Sequence, residues 1–415
     1  MNNQVPLVSV IIPSYNHAKY IAEAIQSVLD QDFQDFEIIV VDDGSQDNSV
    51  AVIQAFTDPR VKLTTFAVNQ GGSVAANHAI RKAAGRYLAV LSSDDVFLPQ
   101  KLSRQVCFLA DNPNVGAVFS YAQLINETGD DFVDETHFYH GVFDQGNRGR
   151  HQWLNHFFFQ GNCLCHPSMM IRRGCFDRVG FYDERLAQLT DLDYWIRLCM
   201  TTDIHILPEK LVKFRIRDGE QNASGYRPDT RIRCSLEIIQ VLNNYLKLAK
   251  VEDIKKIFGD YPLIASAKSD DPRAISYILA RIAYDVGSPS YKYFALHTLY
   301  HLMKDNDSAA LIKELYGFSC SDLVLKAAAH DVFGILHPER ISELETGTKR
   351  QAIALTELGE EIAKQKTTIA LLCDEINKQK QIITDLGAAI EEKNDIITEM
   401  RTFFAIRGGV GIDFF

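Results

Sequence analysis

The sequence predicts an α/β protein: a mostly parallel sheet flanked by helices, then a helical region, then a long coiled-coil helix. Three observations carry this. Short apolar runs alternate with segments of helical spacing through the N-terminal third. Two of those runs, 37–41 and 87–91, end in adjacent acids, Asp42-Asp43 and Asp94-Asp95. Far downstream, isoleucine recurs on a seven-residue grid up to Ile397.

Residues 7–12 read as a buried strand. Residues 19–29 place Tyr20, Ile21, Ala24, Ile25 and Val28 at helical spacing. Strand 37–41, helix 49–56 and strand 61–66 follow. Helix 73–84 ends near Gly85, and strand 87–91 comes next. Helix 99–111 has Pro99 near its first position, and 115–121 is strand. This order predicts parallel strands with helices on both faces.

From 132 to 167 the pattern breaks down, and aromatics and histidines crowd together: His137, Phe138, Tyr139, His140, His151, Trp153, His156, Phe157, Phe158 and Phe159. Two readings stay open, a loop-rich lobe packed on the sheet and the wall of an acceptor pocket. Residues 168–173 and 190–200 read as a strand and a helix. Residues 231 to 337 are mainly helical, with apolar spacing at 236–248, 274–284 and 291–303.

From 341 to 400 the pattern changes in kind. Ile341, Leu355, Ile362, Ile369, Ile376, Ile383, Ile390 and Ile397 share one heptad position, broken only at Thr348. Three residues later come Leu344, Gln351, Leu358, Gln365, Leu372, Gln379, Leu386, Lys393 and Met400. Ile at a, with Leu alternating with polar residues at d, predicts a coiled coil, with a dimer favoured. The alternative is a long amphipathic helix folded back on the protein. The tail from Phe403-Phe404 to Phe414-Phe415 is apolar and Gly-rich, suited to membrane or partner contact or to disorder. The expected domains are 1–228, an α/β domain; 229–340, helical; 341–402, coiled coil; and 403–415, the tail.

The 415-residue chain has room for about two or three domains. Its 46% hydrophobic and 23% charged residues are those of a globular protein. A net charge of −11 without a Lys/Arg stripe argues against nucleic acid as a partner. The eight cysteines lack a disulfide framework. Cys163, Cys165 and His166 form a C-x-C-H cluster, but no second ligand pair follows at zinc-finger spacing. Reduced thiols fit a cytoplasmic location, with peripheral contact at the inner face of a membrane as an option. The N-terminus Met1-Asn2-Asn3-Gln4 has neither the basic residues nor the apolar core of a signal peptide, and no apolar run is long enough to span a membrane.

The chemistry concentrates at strand ends. Pro13-Ser14-Tyr15-Asn16 closes the first strand, where Tyr15 could pack on a nucleobase or serve the turn. After the second strand, Gly44 permits a tight turn and Ser45 or Asp47 can cap the next helix, leaving Asp43 to accept from a base N–H. Asn69-Gln70-Gly71-Gly72-Ser73 lacks the Walker spacing and Lys, so its glycines suit close approach of a ligand. Asp94 and Asp95 are the metal candidates, because Mg²⁺ or Mn²⁺ takes one or two carboxylates plus phosphate and water oxygens. At Thr190-Asp191-Leu192-Asp193-Tyr194-Trp195, Thr190 and Asp193 fit a capping box. Asp191 is left over, on one helix face with Trp195, as a candidate general base.

Together these segments resemble the family-2 inverting glycosyltransferases of GT-A (Rossmann-like) fold. The matching pieces are VSVIIPSYN (8–16), FEIIVVDDGSQDNS (36–49), NQGGSVAANHAI (69–80), GRYLAVLSSDD (85–95) and DLDYWIRL (191–198), covering roughly residues 5–220. The resemblance implies a nucleotide-sugar donor contacted by Pro13, Tyr15, Asp43 and Asp94. It implies a divalent metal, Mn²⁺ or Mg²⁺, on Asp95, and Asp191 as the base that deprotonates the acceptor hydroxyl. It implies a glycan, lipid-linked or protein acceptor, in cell-surface polysaccharide or glycoconjugate synthesis. The chain departs from the pattern at three places. Ser92 stands where many relatives have the first acid of Asp-Ser-Asp-Asp, Ala76 where many have Arg, and Thr190 where an acid is usual. The Gln-x-x-Arg-Trp signature of processive synthases is missing, which favours single transfers.

Two other classes compete. A catalytically reduced, nucleotide-sugar-binding scaffold would recruit partners through the coiled coil, but the retained Asp43, Asp94, Asp95 and Asp191 argue for catalysis. A nucleotidyltransferase would carry a Gly-rich N-terminal loop with a basic residue, which 13–20 does not supply.

Overall fold

The computed structural model describes residues 5–267, 269–334 and 337–406, with side chains of the last helix described at 348, 350, 351 and 353–403. Contacts divide the chain into a first unit ending at Phe333 and a second starting at Gly334.

The first unit is built on an eight-stranded sheet. In chain order its elements are β1 (Val8–Ser14), α1 (Ile21–Leu29), β2 (Phe36–Asp42), α2 (Ser49–Gln54), β3 (Val61–Thr65), α3 (Gly72–Lys82), β4 (Tyr87–Val90), β5 (Val96–Phe97), α4 (Lys101–Asp111), β6 (Val115–Ile125), α5 (Arg150–Gln160), β7 (Met170–Arg172), α6 (Arg173–Val179), α7 (Thr190–Cys199) and β8 (Asp203–Arg215). The strand order is β3-β2-β1-β4-β7-β6-β8-β5. β3, β2, β1 and β4 run parallel, as do β6 and β8, while β7 and β5 are antiparallel to their neighbours. The predicted mostly parallel sheet is therefore present. The chain runs outward from β1 to β3, then returns to β4 on the other side of β1. That reversal opens a crevice at the C-terminal ends of β1 and β4, where doubly wound sheets hold ligands.

Burial on both faces explains the near-continuous apolar strands. Val8, Val10 and Ile12 pack with Ile21 and Ile25 of α1, Ile53 of α2 and Leu102 of α4. Ile11, Ile39 and Val41 point the other way, into a core shared with α3, α5 and α7.

Three sequence expectations need correction. Pro99 lies outside α4, which starts at Lys101 after a Gln100 cap. The segment 132–167 contains the helix α5, whose Trp153, Leu154, Phe157 and Phe158 are buried. Before α5 the segment is made of turns, with Tyr139 and Phe143 packed on Phe214 of β8 as a loop-rich lobe on the sheet. The buried residues share one face at i, i+1, i+4 and i+5, while the exposed Phe159 and the neighbouring histidines blur that period in the sequence. The thirteen-residue β8 was not anticipated. Pro208 falls where the β6–β8 register skips from Leu207 to Lys210, and the bulge spares the ladder a missing N–H.

The first unit continues through α8 (Pro228–Leu242), α9 (Val251–Phe258), α10 (Pro272–Val286), α11 (Pro289–Lys304), α12 (Asn306–Tyr316) and α13 (Cys320–Ala328). These helices share a core with one face of the sheet. Phe158 of α5 is the hinge of that contact, edge-on to Tyr245, Phe258 and Tyr291 at 5.1, 5.0 and 5.6 Å. Tyr245 Oη also donates to Leu154 O (2.7 Å).

The second unit is dominated by α14 (His337–Ile406), 70 residues long. Its described heptad residues, such as Ile369, Ile376 and Ile390, are exposed. The side chains of Ile341, Leu344 and Phe404, and residues 407–415 with Phe414 and Phe415, lie outside the described residues. Among the described residues, no helix is long and apolar enough to cross a membrane.

Candidate active site

The crevice is assembled by short polar turns at the ends of β1, β2 and β4. Pro13 pairs in register with Val41 of β2, and Tyr15 follows it with 41% of its surface exposed. Asn16 adopts the left-handed region (φ 52°), which Asn tolerates. Its N–H donates to Ser45 Oγ (2.8 Å) and its Oδ1 accepts from Gln46 N (2.8 Å). The loop bearing Tyr15 is thereby tied to the turn after β2. In that turn Asp42 accepts from Ser45 N (2.9 Å) and Ser45 Oγ (2.6 Å). Asp47, rather than Ser45, accepts from Ser49 N at the start of α2 (2.9 Å).

Asp43 is buried, and its carboxylate accepts from Gln70 N (2.7 Å) and Gly71 N (2.8 Å). It thus braces the glycine loop against the end of β2. Gly44 is required there: its φ is +74°, and a Cβ would stand 2.6 Å from the Val68 carbonyl carbon. The brace extends onward, because Ser73 Oγ lies 3.1 Å from Thr190 Oγ1, next to Asp191.

Asp94 and Asp95 follow β4 and are both buried. Asp95 Oδ1 accepts from Arg215 N (2.8 Å), and the Ser92 hydroxyl also reaches this carboxylate. Burial, and then the Asp94 charge, push the Asp95 carboxyl well above its ordinary range. Among the described residues no hydrogen bond reaches the Asp94 carboxylate. Ser14 Oγ and Arg217 Nε, near the same strand ends, are buried without a partner among the described residues. Two adjacent buried acids, one lacking a donor, fit a hard divalent cation that leaves coordination places for phosphate and water.

Asp191 stands in the first turn of α7, half-buried as a residue but with a desolvated carboxylate. Its Oδ2 accepts from Asn162 Nδ2 (2.6 Å) and its Oδ1 from Leu192 N (2.7 Å). Burial raises its pKa to about 6, against the pull of those two donors. The Ser73–Thr190 contact ties the start of α7, and so Asp191, to the glycine loop that Asp43 braces at the end of β2.

The capping-box reading of Thr190 and Asp193 is corrected. Thr190 is already helical and its hydroxyl donates to Leu186 O (2.9 Å). Asp193 instead pairs with Arg197 (2.7 Å) and accepts from Asn244 Nδ2 (2.6 Å). Trp195 is buried edge-on against Phe119. The C-x-C-H residues are also accounted for. Burial pushes Cys163 up to about 11 and His166 down to about 4, and His166 Nε2 lies 2.9 Å from Tyr182 Oη. Among the described residues no group of three His, Cys, Asp or Glu side chains could hold a metal ion.

Several supporting residues escaped the sequence reading. The buried Arg215 donates from Nε to Asp94 O (2.8 Å) and pairs with Glu23 (2.5 Å), clamping the acidic turn. His17 Nδ1 lies 2.7 Å from Ser93 Oγ, and its Nε2 lies 3.0 Å from Arg217 Nη1. Asn77 fastens the chain at Tyr182. Glu237 of α8 accepts from three successive N–H groups, Ala187, Gln188 and Leu189, each at 2.8 Å, just before α7. The alternation Lys213-Phe214-Arg215-Ile216-Arg217 was the available signal for the first of these. Glu237 had none, because its partners lie some fifty residues away.

Comparison with known proteins adds a family. Residues 9–179 match the profile of glycosyl transferase family 2. An uncharacterized glycosyltransferase of Methanocaldococcus jannaschii is 31% identical over 228 residues, 53% of this chain and 74% of that protein. A UDP-Glc:alpha-D-GlcNAc-diphosphoundecaprenol beta-1,3-glucosyltransferase of Escherichia coli is 38% identical over 120 residues, 29% of this chain and 47% of that protein. A putative teichuronic acid biosynthesis glycosyltransferase of Bacillus subtilis is 42% identical over 129 residues, 31% of this chain and 51% of that protein.

Proposed function

Because this chain belongs to glycosyl transferase family 2 and is a glycosyltransferase, we propose that it inverts the anomeric centre while moving one sugar from a nucleotide-sugar to an acceptor hydroxyl. The observation that carries this is Asp191: a carboxylate poised at about 6, held by two donors, and tied through Thr190 and Ser73 to the glycine loop that Asp43 braces. At neutral pH it is ionised and able to take a proton.

In the proposed step the acceptor oxygen attacks the anomeric carbon from the face opposite the diphosphate. The hydroxyl proton passes to an Asp191 oxygen. The bond from the anomeric carbon to the phosphate oxygen breaks, and its electron pair leaves with the nucleoside diphosphate. No enzyme nucleophile is needed. Asn162 and Leu192 N keep the base aimed and ionised. Pro13, Tyr15, Asp43 and Asp94 contact the donor, with Asp43 acting partly by shaping the glycine loop. Asp95, beside Asp94, would hold Mn²⁺ or Mg²⁺, which when bound neutralises charge on the departing diphosphate.

The Escherichia coli glucosyltransferase, which acts on a diphosphoundecaprenol-linked sugar, and the Bacillus subtilis teichuronic acid biosynthesis relative support a place in cell-surface polysaccharide assembly with a lipid-linked acceptor. UDP-glucose is therefore the first donor to test. The exposed isoleucine column of α14 supports self-association as a coiled-coil dimer through 341–400. The expected division into a catalytic domain to 228 and a helical region to 340 stands as part of this proposal.

The test is nucleoside diphosphate release from a panel of nucleotide-sugars with Mn²⁺, in the presence of a diphosphate-lipid acceptor. Asp95→Ala should abolish transfer, and Asp191→Asn should cut it by about 10²–10⁴-fold with nucleotide binding preserved. Full activity in Asp191→Asn would overturn the assignment of the base.

A further inference from the structure

A polar cavity of about 450 Å³ lies at the opposite edge of the sheet from the acids. Arg172 pairs with Tyr87 at the start of β4, whereas Asp94 and Asp95 follow its end. Val115 and Asp203, at the starts of β6 and β8, line the same cavity. Nothing in the proposed transfer reaction uses this edge.

Three guanidinium groups border the cavity: Arg150, Arg172 and Arg178. Arg172 is fixed by its neighbours. Its Nε donates to Val115 O (2.8 Å), and its Nη2 donates to Asn112 O (2.9 Å) and Leu109 O. Its Nη1 has no hydrogen-bond partner among the described residues. Arg150 Nη1 donates to Met200 O (2.8 Å), and Arg178 Nη2 donates to the Cys175 sulfur (3.6 Å). None of the three is in an ion pair with a carboxylate among the described residues. The one acid lining the cavity, Asp203, accepts from the backbone N of Arg150 (3.1 Å). Arg86 and Arg173 border an adjoining cavity that shares Arg172 and Arg178, together with one acid, Asp177.

Three guanidinium groups around one cavity, with a single acid in its lining, repel each other unless an anion joins them. The setting sharpens this, since the whole chain carries a net charge of −11 and the patch is not part of a generally basic surface. Guanidinium forks suit phosphate oxygens, and Asn114 and Thr202, whose hydroxyl donates to Asn114 O (3.1 Å), add neutral polar residues to the lining. We propose that this cavity binds a phosphate-bearing ligand, away from the transfer site.

The test uses the full chain titrated with inorganic pyrophosphate in EDTA, where the acids at 94 and 95 disfavour the ligand. Saturable binding that survives in Asp95→Asn and weakens about tenfold or more in Arg178→Glu, with Tm unchanged, supports the site for a soluble phosphate. A parallel sedimentation with vesicles containing phosphatidic acid tests a phosphate carried on lipid. Vesicle binding lost in Arg178→Glu, without pyrophosphate binding, assigns the site to that source. Arg150→Gln serves as the second variant should Arg178→Glu fail to fold. Binding of neither probe, or equal binding by wild type and variant, overturns the proposal. Because Asp95→Asn disables only the transfer site, failure here and failure of the transferase reading give different results.

Discussion

Asp191 owes its pKa of about 6 to a balance: burial opposes ionisation, and the bonds from Leu192 N and Asn162 favour it. The rate should therefore fall as pH drops below about 6, since a protonated base cannot accept the hydroxyl proton. Asn162→Ala removes a donor to the ionised form and should move that acid limb upward by about one unit, read from a kcat/KM profile. Asp191→Asn should cost about 10²–10⁴-fold in kcat. A second buried group makes a stability prediction. Lys101 lies 4.0 Å from the Phe97 ring centroid, with Gln105 as its hydrogen-bond partner, and burial lowers its pKa to about 7. Between about 7 and the ordinary value of 10.5 the unfolded chain holds a proton that the folded chain lacks. Its contribution to stability is therefore lost as pH falls toward 7 and gained as pH rises through that window. Lys101→Met should flatten this dependence and raise Tm at pH 7, measured by thermal melts across the window.

At the scale of elements, α8 is what fixes the entrance to α7. Glu237 gathers three N–H groups before Asp191, and Asn244, just past α8, holds Asp193. Glu237→Ala leaves those donors without their acceptor, at a cost of about 1–3 kcal/mol. It should lower kcat while leaving the KM for donor unchanged, because the proposed donor contacts lie at the ends of β1, β2 and β4. Phe158 does the equivalent work for packing. Phe158→Ala opens a cavity between α5 and the helices carrying Tyr245, Phe258 and Tyr291, and should destabilise by about 3–5 kcal/mol in denaturant melts.

At the scale of the whole molecule, α14 exposes a column of isoleucines that a monomer leaves in water. Deleting 341–415 should lower the mass seen by light scattering and spare transfer to a soluble acceptor; an unchanged mass would remove the coiled-coil proposal. The parallel sheet, and the delivery of 42–43 and 94–95 to strand ends, could be read from the sequence, because strand period and apolar runs are local properties of the chain. So could the long C-terminal helix, whose heptads need no partner to be visible. The helix α5 and the strand β8 could not. The first has its buried face blurred by the exposed Phe159 and packs against helices after 228, and the second gains its pairing from β6 and β5, distant in the chain. The same division runs through the site. The acids themselves were visible as residue types at strand ends. Tertiary structure alone decided that Arg215 clamps Asp94 and Asp95, that Asp43 spends its carboxylate on the glycine loop, and that Asn162 and Glu237 set Asp191. Hydrogen bonds between residues so far apart in the chain leave no periodic trace in it, since they depend on where folding brings the backbone rather than on what lies next in the sequence.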